Sequence, residues 1–274
     1  MIARLYTFVF ARPSTQGVND RLLHLAMRGR GYDLGPEPKS TGELRFLRTF
    51  AKTNPTLCID IGANLGKYSR LLLETTAADV IAFEPFPQSF RKLIDLTNSY
   101  SERFTPEPFG IGQDDTTLSL NYGLETTLAS FSTEVNQIGY VGDVNVNSIR
   151  VPVVSLDSYI SKSADPIRQI DLIKIDTEGF ELEVLRGARR TISEIKPKFI
   201  QIEFNWHQLM REQSLRTLAE LLPNYDVFQI LPHGTGLAKR DVNTPDANIY
   251  HFSNFVFIRS DVRLSGIHDI GLDG

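Results

Sequence analysis

CIDIGANLGKYS, residues 58–69, joins an apolar run to a glycine-bearing turn and then to a helical pattern. The run Leu57–Ile61 reads as a buried strand with Asp60 at its end. Gly62 and Gly66 frame the turn, where a backbone without Cβ atoms bends sharply and lets a ligand approach. The helix that begins near Gly66 offers free N–H groups. In an open parallel sheet, ligands lie beyond the carboxyl ends of the strands, and this turn occupies such a place.

Outward from this turn, short apolar runs alternate with helical patterns. Strands are expected at Val80–Phe83, Phe104–Ile111, Ile170–Ile175, Phe199–Phe204, Val227–Leu231 and Phe252–Ile258. Helices are expected at Lys67–Thr75, Pro87–Tyr100, Glu178–Glu194 and Gln208–Leu222. Such alternation means right-handed crossovers and a mostly parallel α/β sheet with helices on both faces. The last two strands lack a helix between them, so an antiparallel pair is expected at that edge.

We divide the chain into an N-terminal helical extension (1–56), an α/β domain (57–260) and a C-terminal tail (261–274). Within the domain, residues 114–155 break the rhythm and read as a β-rich insertion. In the extension, Ser40 and Glu43 have capping-box spacing ahead of Leu44, Leu47, Phe50 and Ala51. The opening MIARLYTFVFARP is too short to span a bilayer and lacks a cleavage signal, so it reads as a surface helix packed on the body.

Bulk properties are those of a soluble globular chain: 274 residues, 41% hydrophobic and 23% charged. The net charge of −4 and the lack of a dense basic block argue against nucleic acid as a partner. A single cysteine rules out an internal disulfide and fits a cytoplasmic setting. Cys58 lies within the apolar run and reads as core.

The spacing G-x-x-x-G differs from the G-x-G-x-x-G of dinucleotide binders. Asn64 stands where a pyrophosphate needs the second glycine. This favours an adenosine-bearing ligand without a pyrophosphate, and Asp60 favours a cationic one. Glu84 ends the second strand, where a carboxylate can accept hydrogen bonds from both hydroxyls of a ribose. At the third strand end, Ile111 and Gly112 leave room for a flat adenine, with Asp114 near its amine.

CIDIGANLGKYS, IAFEP, VPVVSLD and IDLIKIDTEGFELEVLRGA together resemble the FkbM family of methyltransferases, over about 57–204. The resemblance implies a Rossmann-like class I fold with a seven-stranded sheet. It also implies S-adenosylmethionine (AdoMet) as cofactor and O-methylation of a sugar or another hydroxylated small molecule. Asp60, Gly62, Asn64 and Gly66 would then hold the methionine half and Glu84 the ribose. Tyr68, Ser69, Pro85, Ile111, Gly112 and Asp176 complete the expected cofactor site.

An alcohol that attacks a sulfonium methyl must be placed in line and lose its proton. Asp176, Glu178 and His207, at neighbouring strand ends, are the candidate catalytic residues. Asp176 or Thr177 as helix cap, Glu178 and Glu181 as dipole partners, and His207 as a solvent-facing residue are the structural alternatives. Asp176, Glu203 and Asn205 offer oxygen ligands suited to Mg²⁺, with Asn205 as the cap of the next helix as the alternative. His233 is a weaker base candidate, and His24, His251 and His268 read as superficial. Arg186, Arg189 and Arg190 read as a solvated helix face. A nicotinamide-dependent oxidoreductase and a non-catalytic protein that keeps the cofactor fold are the rival readings. The acceptor, the metal and the oligomeric state are not fixed by the sequence.

Overall fold

The computed structural model describes residues 1–35, 37–123, 129–142, 145–233 and 236–264. The main sheet contains β1 (Leu57–Ile61), β2 (Asp79–Phe83), β3 (Phe104–Glu107), β7 (Leu172–Ile175), β8 (Phe199–Phe204), β9 (Tyr225–Ile230), β10 (Leu237–Lys239) and β11 (Ser253–Arg259). Their order is β10-β9-β11-β8-β7-β1-β2-β3. The chain runs outward from β1 to β2 and β3, then returns to β7 and β8 on the other side. The sheet therefore reverses direction between β1 and β7, and their carboxyl ends border a crevice. The α/β class and the antiparallel β9–β11 pair match expectation. Eight strands form where seven were expected, because β10 lies within the polar 232–251 connection and pairs with β9.

Side chains alternate between the two faces with the strand period of two. Ile59, Ile61, Ile173, Ile175, Ile200 and Ile202 pack on one face. They meet Leu182 and Leu185 of α10 (Glu181–Gly187) and Leu215 and Leu218 of α12 (Leu215–Ala219). The other face carries Cys58, Val80, Leu172, Phe199 and Val256. There Leu47 and Phe50 of α4 (Glu43–Phe50) and Leu72 of α5 (Lys67–Thr75) close the core. Phe50 meets Phe199 edge-on at 5.3 Å. Each such fully buried side chain contributes about 1.5–3 kcal/mol. Cys58 is a core residue, fully buried, and burial pushes its thiol well up.

The insertion's β5 (Thr116–Tyr122) and β6 (Asn147–Ser155) form a second sheet with β4 (Gly110–Gly112), which precedes the insertion, in the order β4-β6-β5. The expected single strand over 104–111 therefore divides, with β3 in the main sheet and β4 in the small one. A short helix, α8 (Gly139–Gly142), also lies within the insertion. The insertion leads into α9 (Leu156–Lys162), for which no element was expected; Ser155 caps it by accepting from Ser158 N. Residues 124–128 of the insertion and 265–274 of the tail lie outside the described residues.

Several helices are shorter than their periodicity suggested. The 87–100 pattern breaks into α6 (Pro87–Leu93), a 3₁₀ turn and α7 (Thr97–Tyr100). The 208–222 pattern becomes α11 (Trp206–Met210) and α12, with Ser214 recapping the second piece. The helix expected from Glu178 starts at Glu181, because Glu178 and Gly179 take left-handed conformations. Gly187 ends α10 where a Cβ would stand 1.9 Å from the Gly112 carbonyl oxygen, so only glycine lets the helix approach β4 this closely.

The N-terminal extension is helical as expected: α1 (Ile2–Phe10), α2 (Gln16–Gly29), α3 (Pro38–Thr41) and α4. Two of its details differ from expectation. The Ser40–Glu43 capping box does not form; Gly42, at φ +91°, separates α3 from α4 and turns Glu43 into the interior. The first helix is not packed on the body, since no residue of α1 is buried. The chain reaches the body at the end of α2, where Met27 and then Tyr32 are buried in the core, and Asp33 N donates to Phe252 O at 2.9 Å. Among the described residues, no helix is long and apolar enough to cross a membrane.

Candidate active site

The crevice at the β1–β7 reversal opens into a cavity of about 390 Å³. That lies within the range of small-molecule sites. Strand register places three polar residues side by side, Asp60 on β1, Lys174 on β7 and Gln201 on β8, and the first two line the cavity. Asp60 is buried and accepts from Ser69 Oγ at 2.6 Å. Burial raises its carboxyl to about 6. Tyr68 donates to Gln201 Oε1 at 2.5 Å and places its ring 5.6 Å from the Lys174 ammonium. Ser69 therefore supports Asp60 from within α5 rather than lining the cavity.

The glycine turn closes the floor on one side. Gly62, at φ +83°, lies so near β7 that a Cβ would stand 1.8 Å from the Asp176 carbonyl oxygen. Asn64, also left-handed, donates its backbone N–H to Glu84 Oε2 at 2.7 Å. Phe86 N donates to Glu84 Oε1 at 2.7 Å. Both oxygens of Glu84 are thus fixed by backbone while the carboxylate borders the cavity. Burial nevertheless raises its carboxyl to about 7, against these two hydrogen bonds. Pro85 and Ile111 line the same end. Gly66, whose added Cβ would meet Leu93 and Leu96, serves the packing of α5. Gly112 faces α10 instead of the cavity, and Asp114 is exposed.

The opposite end is acidic. Asp176, Glu178 and Glu203 bring carboxylate oxygens within 4.8 Å of one another. Burial and the neighbouring carboxylates hold Glu178 and Glu203 well above the usual range. Lys174 answers this charge. It is 2% exposed and its Nζ lies 3.0 Å from Asp176 Oδ2. Asp176, Glu43 and Glu203 raise it, against its burial. A buried ammonium is tolerated only with such partners.

Glu178 sits at φ +53°, a conformation that costs a non-glycine residue about 1–2 kcal/mol. Glu181 holds the turn by accepting from Thr177 N at 3.0 Å and Gly179 N at 3.2 Å. Ser130 of the insertion adds a bond of 2.6 Å to the Glu178 carbonyl. The turn brings Glu178 Oε2 within 2.8 Å of His207 Nδ1. His207 is buried rather than solvent-facing, and burial lowers its pKa. Despite this approach, neither Nδ1 nor Nε2 of His207 makes a hydrogen bond among the described residues.

Asn205 takes the capping role: its Oδ1 accepts from His207 N at 2.7 Å, and Gln208 closes the box. Its Nδ2 donates to Glu203 at 2.9 Å. The third carboxylate beside Asp176 and Glu203 is therefore Glu178. His24, His233 and His251 are exposed, as are Arg186, Arg189 and Arg190, while His268 lies outside the described residues.

Sequence reasoning missed Lys174, Glu43 and the wall from the insertion, where Leu120 and Phe131 face the cavity. Lys174 did leave a signal: it is a charge at the centre of the otherwise apolar run Leu172–Ile175. Glu43 left none, since its capping-box spacing pointed elsewhere.

The model of the FkbM methyltransferase domain matches residues 60–230. Hexuronic acid methyltransferase AglP of Haloferax volcanii is 28% identical over 146 residues, covering 52% of this chain and 54% of AglP. The chain thus spans about half the length of AglP. The 2-O-methyltransferase NoeI of Sinorhizobium fredii is 26% identical over 232 residues, covering 78% of this chain and 90% of NoeI. Among solved structures, an O-methyltransferase from Bacillus cereus in complex with SAH superposes with a TM-score of 0.46 at 11% identity, over 94% of this chain and 97% of that one. The family model covers well over half of the sequence, including the glycine turn, Glu84 and the acidic loop, and the chain belongs to the FkbM methyltransferase family.

Proposed function

We propose that the protein is an AdoMet-dependent O-methyltransferase acting on a hydroxyl of a sugar or another polyhydroxylated metabolite. The carrying observation is Glu84, a buried carboxylate whose two oxygens are anchored by backbone N–H groups at the mouth of the glycine turn. A fixed acceptor of this kind suits the two hydroxyls of a ribose. Asp60 and Asp176 bring negative charge to the other end of the cavity, which suits an amino-acid group and an adjacent sulfonium. The names of AglP and NoeI support a sugar acceptor.

AdoMet, when bound, supplies a methyl group on a cationic sulfur. The acceptor hydroxyl must lose its proton as its oxygen forms the new bond to carbon and the carbon–sulfur bond breaks. His207 is assigned as the base. Glu178 Oε2 lies beside Nδ1, Nε2 has no hydrogen-bond partner, and burial lowers the pKa, which keeps the imidazole neutral and able to accept a proton near neutrality. Glu178 orients the ring, in the manner of the carboxylate in a nucleophile–histidine–acid array. Leu120 and Phe131 of the insertion add apolar wall to the cavity.

Mg²⁺ is not part of this proposal. Asn205 is committed to its helix, and the nearest cation to Asp176 is the Lys174 ammonium, which a divalent ion would have to displace.

Isothermal titration calorimetry tests the cofactor assignment. AdoMet should bind the wild type and NAD should not. Glu84→Ala should weaken AdoMet at least about 100-fold, since two charge-assisted hydrogen bonds are worth about 1.5–3 kcal/mol each. Unchanged AdoMet affinity in that variant would reject the site. Transfer of labelled methyl to a sugar acceptor would separate the enzyme from a non-catalytic relative.

A further inference from the structure

The N-terminal hairpin leaves an apolar face in water. In α1, Ile2, Leu5 and Phe8 are 84%, 66% and 73% exposed. In α2, the exposed Val18, Leu22 and Leu25 follow i, i+4, i+7 spacing and form one stripe. The two helices are already joined as a unit. Tyr6 Oη donates to Asn19 Oδ1 at 2.7 Å and Asn19 Nδ2 donates to Phe10 O at 2.9 Å, while within α1 Tyr6 stacks on Phe10 at 4.8 Å. The hairpin's polar groups are thus satisfied at the joint, and its apolar groups are left outside.

Charge is segregated to match. Residues 1–30 contain five arginines and one aspartate, a net +4, in a chain whose net charge is −4. The remaining residues therefore carry −8. Arg4, Arg12, Arg21 and Arg28 are exposed. On α2, Arg21 and Arg28 border the Val18–Leu22–Leu25 stripe along one side. An apolar stripe bordered by arginines on an otherwise acidic protein is the chemistry of an interfacial helix on an anionic bilayer.

We propose that α1 and α2 form a peripheral membrane-docking element that lays its apolar face into an anionic lipid surface. A second copy of the chain is a poorer occupant. Two such hairpins facing each other would bring their positive charge together. Elsewhere in the described chain the large exposed apolar residues are only Ile94, Val146, Trp206 and Leu209, too few for a complementary face.

Vesicle flotation of the full chain tests this. Vesicles of phosphatidylcholine alone are compared with vesicles in which roughly half the lipid is phosphatidylglycerol. The protein should float with the anionic vesicles, remain soluble with the neutral ones, and lose more than tenfold in affinity between about 0.05 M and about 0.5 M salt. Arg21→Gln with Arg28→Gln should weaken binding roughly 25-fold, at roughly fivefold for each arginine. Leu5→Asp with Phe8→Asp should abolish flotation. Both double variants should keep wild-type AdoMet affinity and circular dichroism, because none of these residues borders the cavity. Failure to float with either vesicle, or equal binding to both, would overturn the proposal. So would a dimer seen by light scattering that the Leu5 and Phe8 changes dissociate, since that would assign the face to a second copy.

Discussion

Replacing Glu84 with glutamine separates the charge of this residue from its shape. In the folded chain burial raises the carboxyl from 4.5 to about 7. A group whose folded pKa is raised contributes stability fully present below its unfolded pKa, and that contribution is lost as pH rises through the folded pKa. The window here runs from 4.5 to about 7. At about 1.4 kcal/mol per pH unit, the ionised carboxylate costs the unliganded fold on the order of 3 kcal/mol above that window. Glutamine does not ionise. It has one oxygen for two backbone donors, so one N–H is orphaned, at a pH-independent cost of about 1–3 kcal/mol. The diagnostic is therefore the slope, not the offset. In urea unfolding at about pH 5 and about pH 8, the stability of wild type relative to Glu84→Gln should fall by about 2.5 kcal/mol. Over the same range wild-type affinity for AdoMet should rise, since only the carboxylate accepts from both ribose hydroxyls, while the variant should bind weakly throughout. Parallel stability profiles for the two proteins would refute the reasoning, because they would mean that Glu84 is not held protonated by the fold.

Two other substitutions probe the acidic end. Lys174→Met leaves Asp176, Glu43 and Glu203 without their cation; it should destabilise by about 3–5 kcal/mol near neutral pH in urea titration, and less in acid, where carboxylates protonate. A loss below about 1 kcal/mol would show that the lysine does not balance the cluster. His207→Gln should lower kcat about 10²- to 10⁴-fold with AdoMet affinity within about threefold of wild type. Because burial lowers the His207 pKa from 6.5, the wild-type rate should hold to below that pH and then fall on the acid side, and the variant should lack this limb.

Residues whose neighbours in sequence decide their structure were legible. Leu57–Ile61, Lys67–Thr75 and Phe199–Phe204 are bounded as their periodicity indicated, because strand alternation and helical stripes are local patterns. The glycine turn and Glu84 were legible for the same reason: each sits at a strand end in a known relation to the sheet. The misreadings came from long-range contacts. Glu43 has a capping-box spacing, yet Gln201 Nε2 hydrogen-bonds it from 158 residues away and draws it into the core. Glu178 looked like a helix start, but Glu181 and Ser130 hold it in a left-handed turn. Asn205 and Glu203 share a strand end as expected, but the asparagine's oxygen is taken by the following helix. Alternation alone could not distinguish the sheet's own third strand from β4, since both are short and only Pro108 and Phe109 separate them. No composition rule places Lys174 inside a strand; only the surrounding acids make that position tolerable.

The placement of β11 has a consequence for synthesis on the ribosome. It lies between β8 and β9, antiparallel to both, and Ser253–Ile258 are all buried. As the chain emerges, β9 can pair only with β10, and the two cannot join the rest of the sheet until residue 259 has cleared the exit tunnel. Until then β8 presents an open, apolar edge, which invites chaperone capture or pairing between nascent chains. A ribosome stalled between residues 231 and 252 would thus yield a nascent chain whose sheet cannot close, however well its earlier helices have formed.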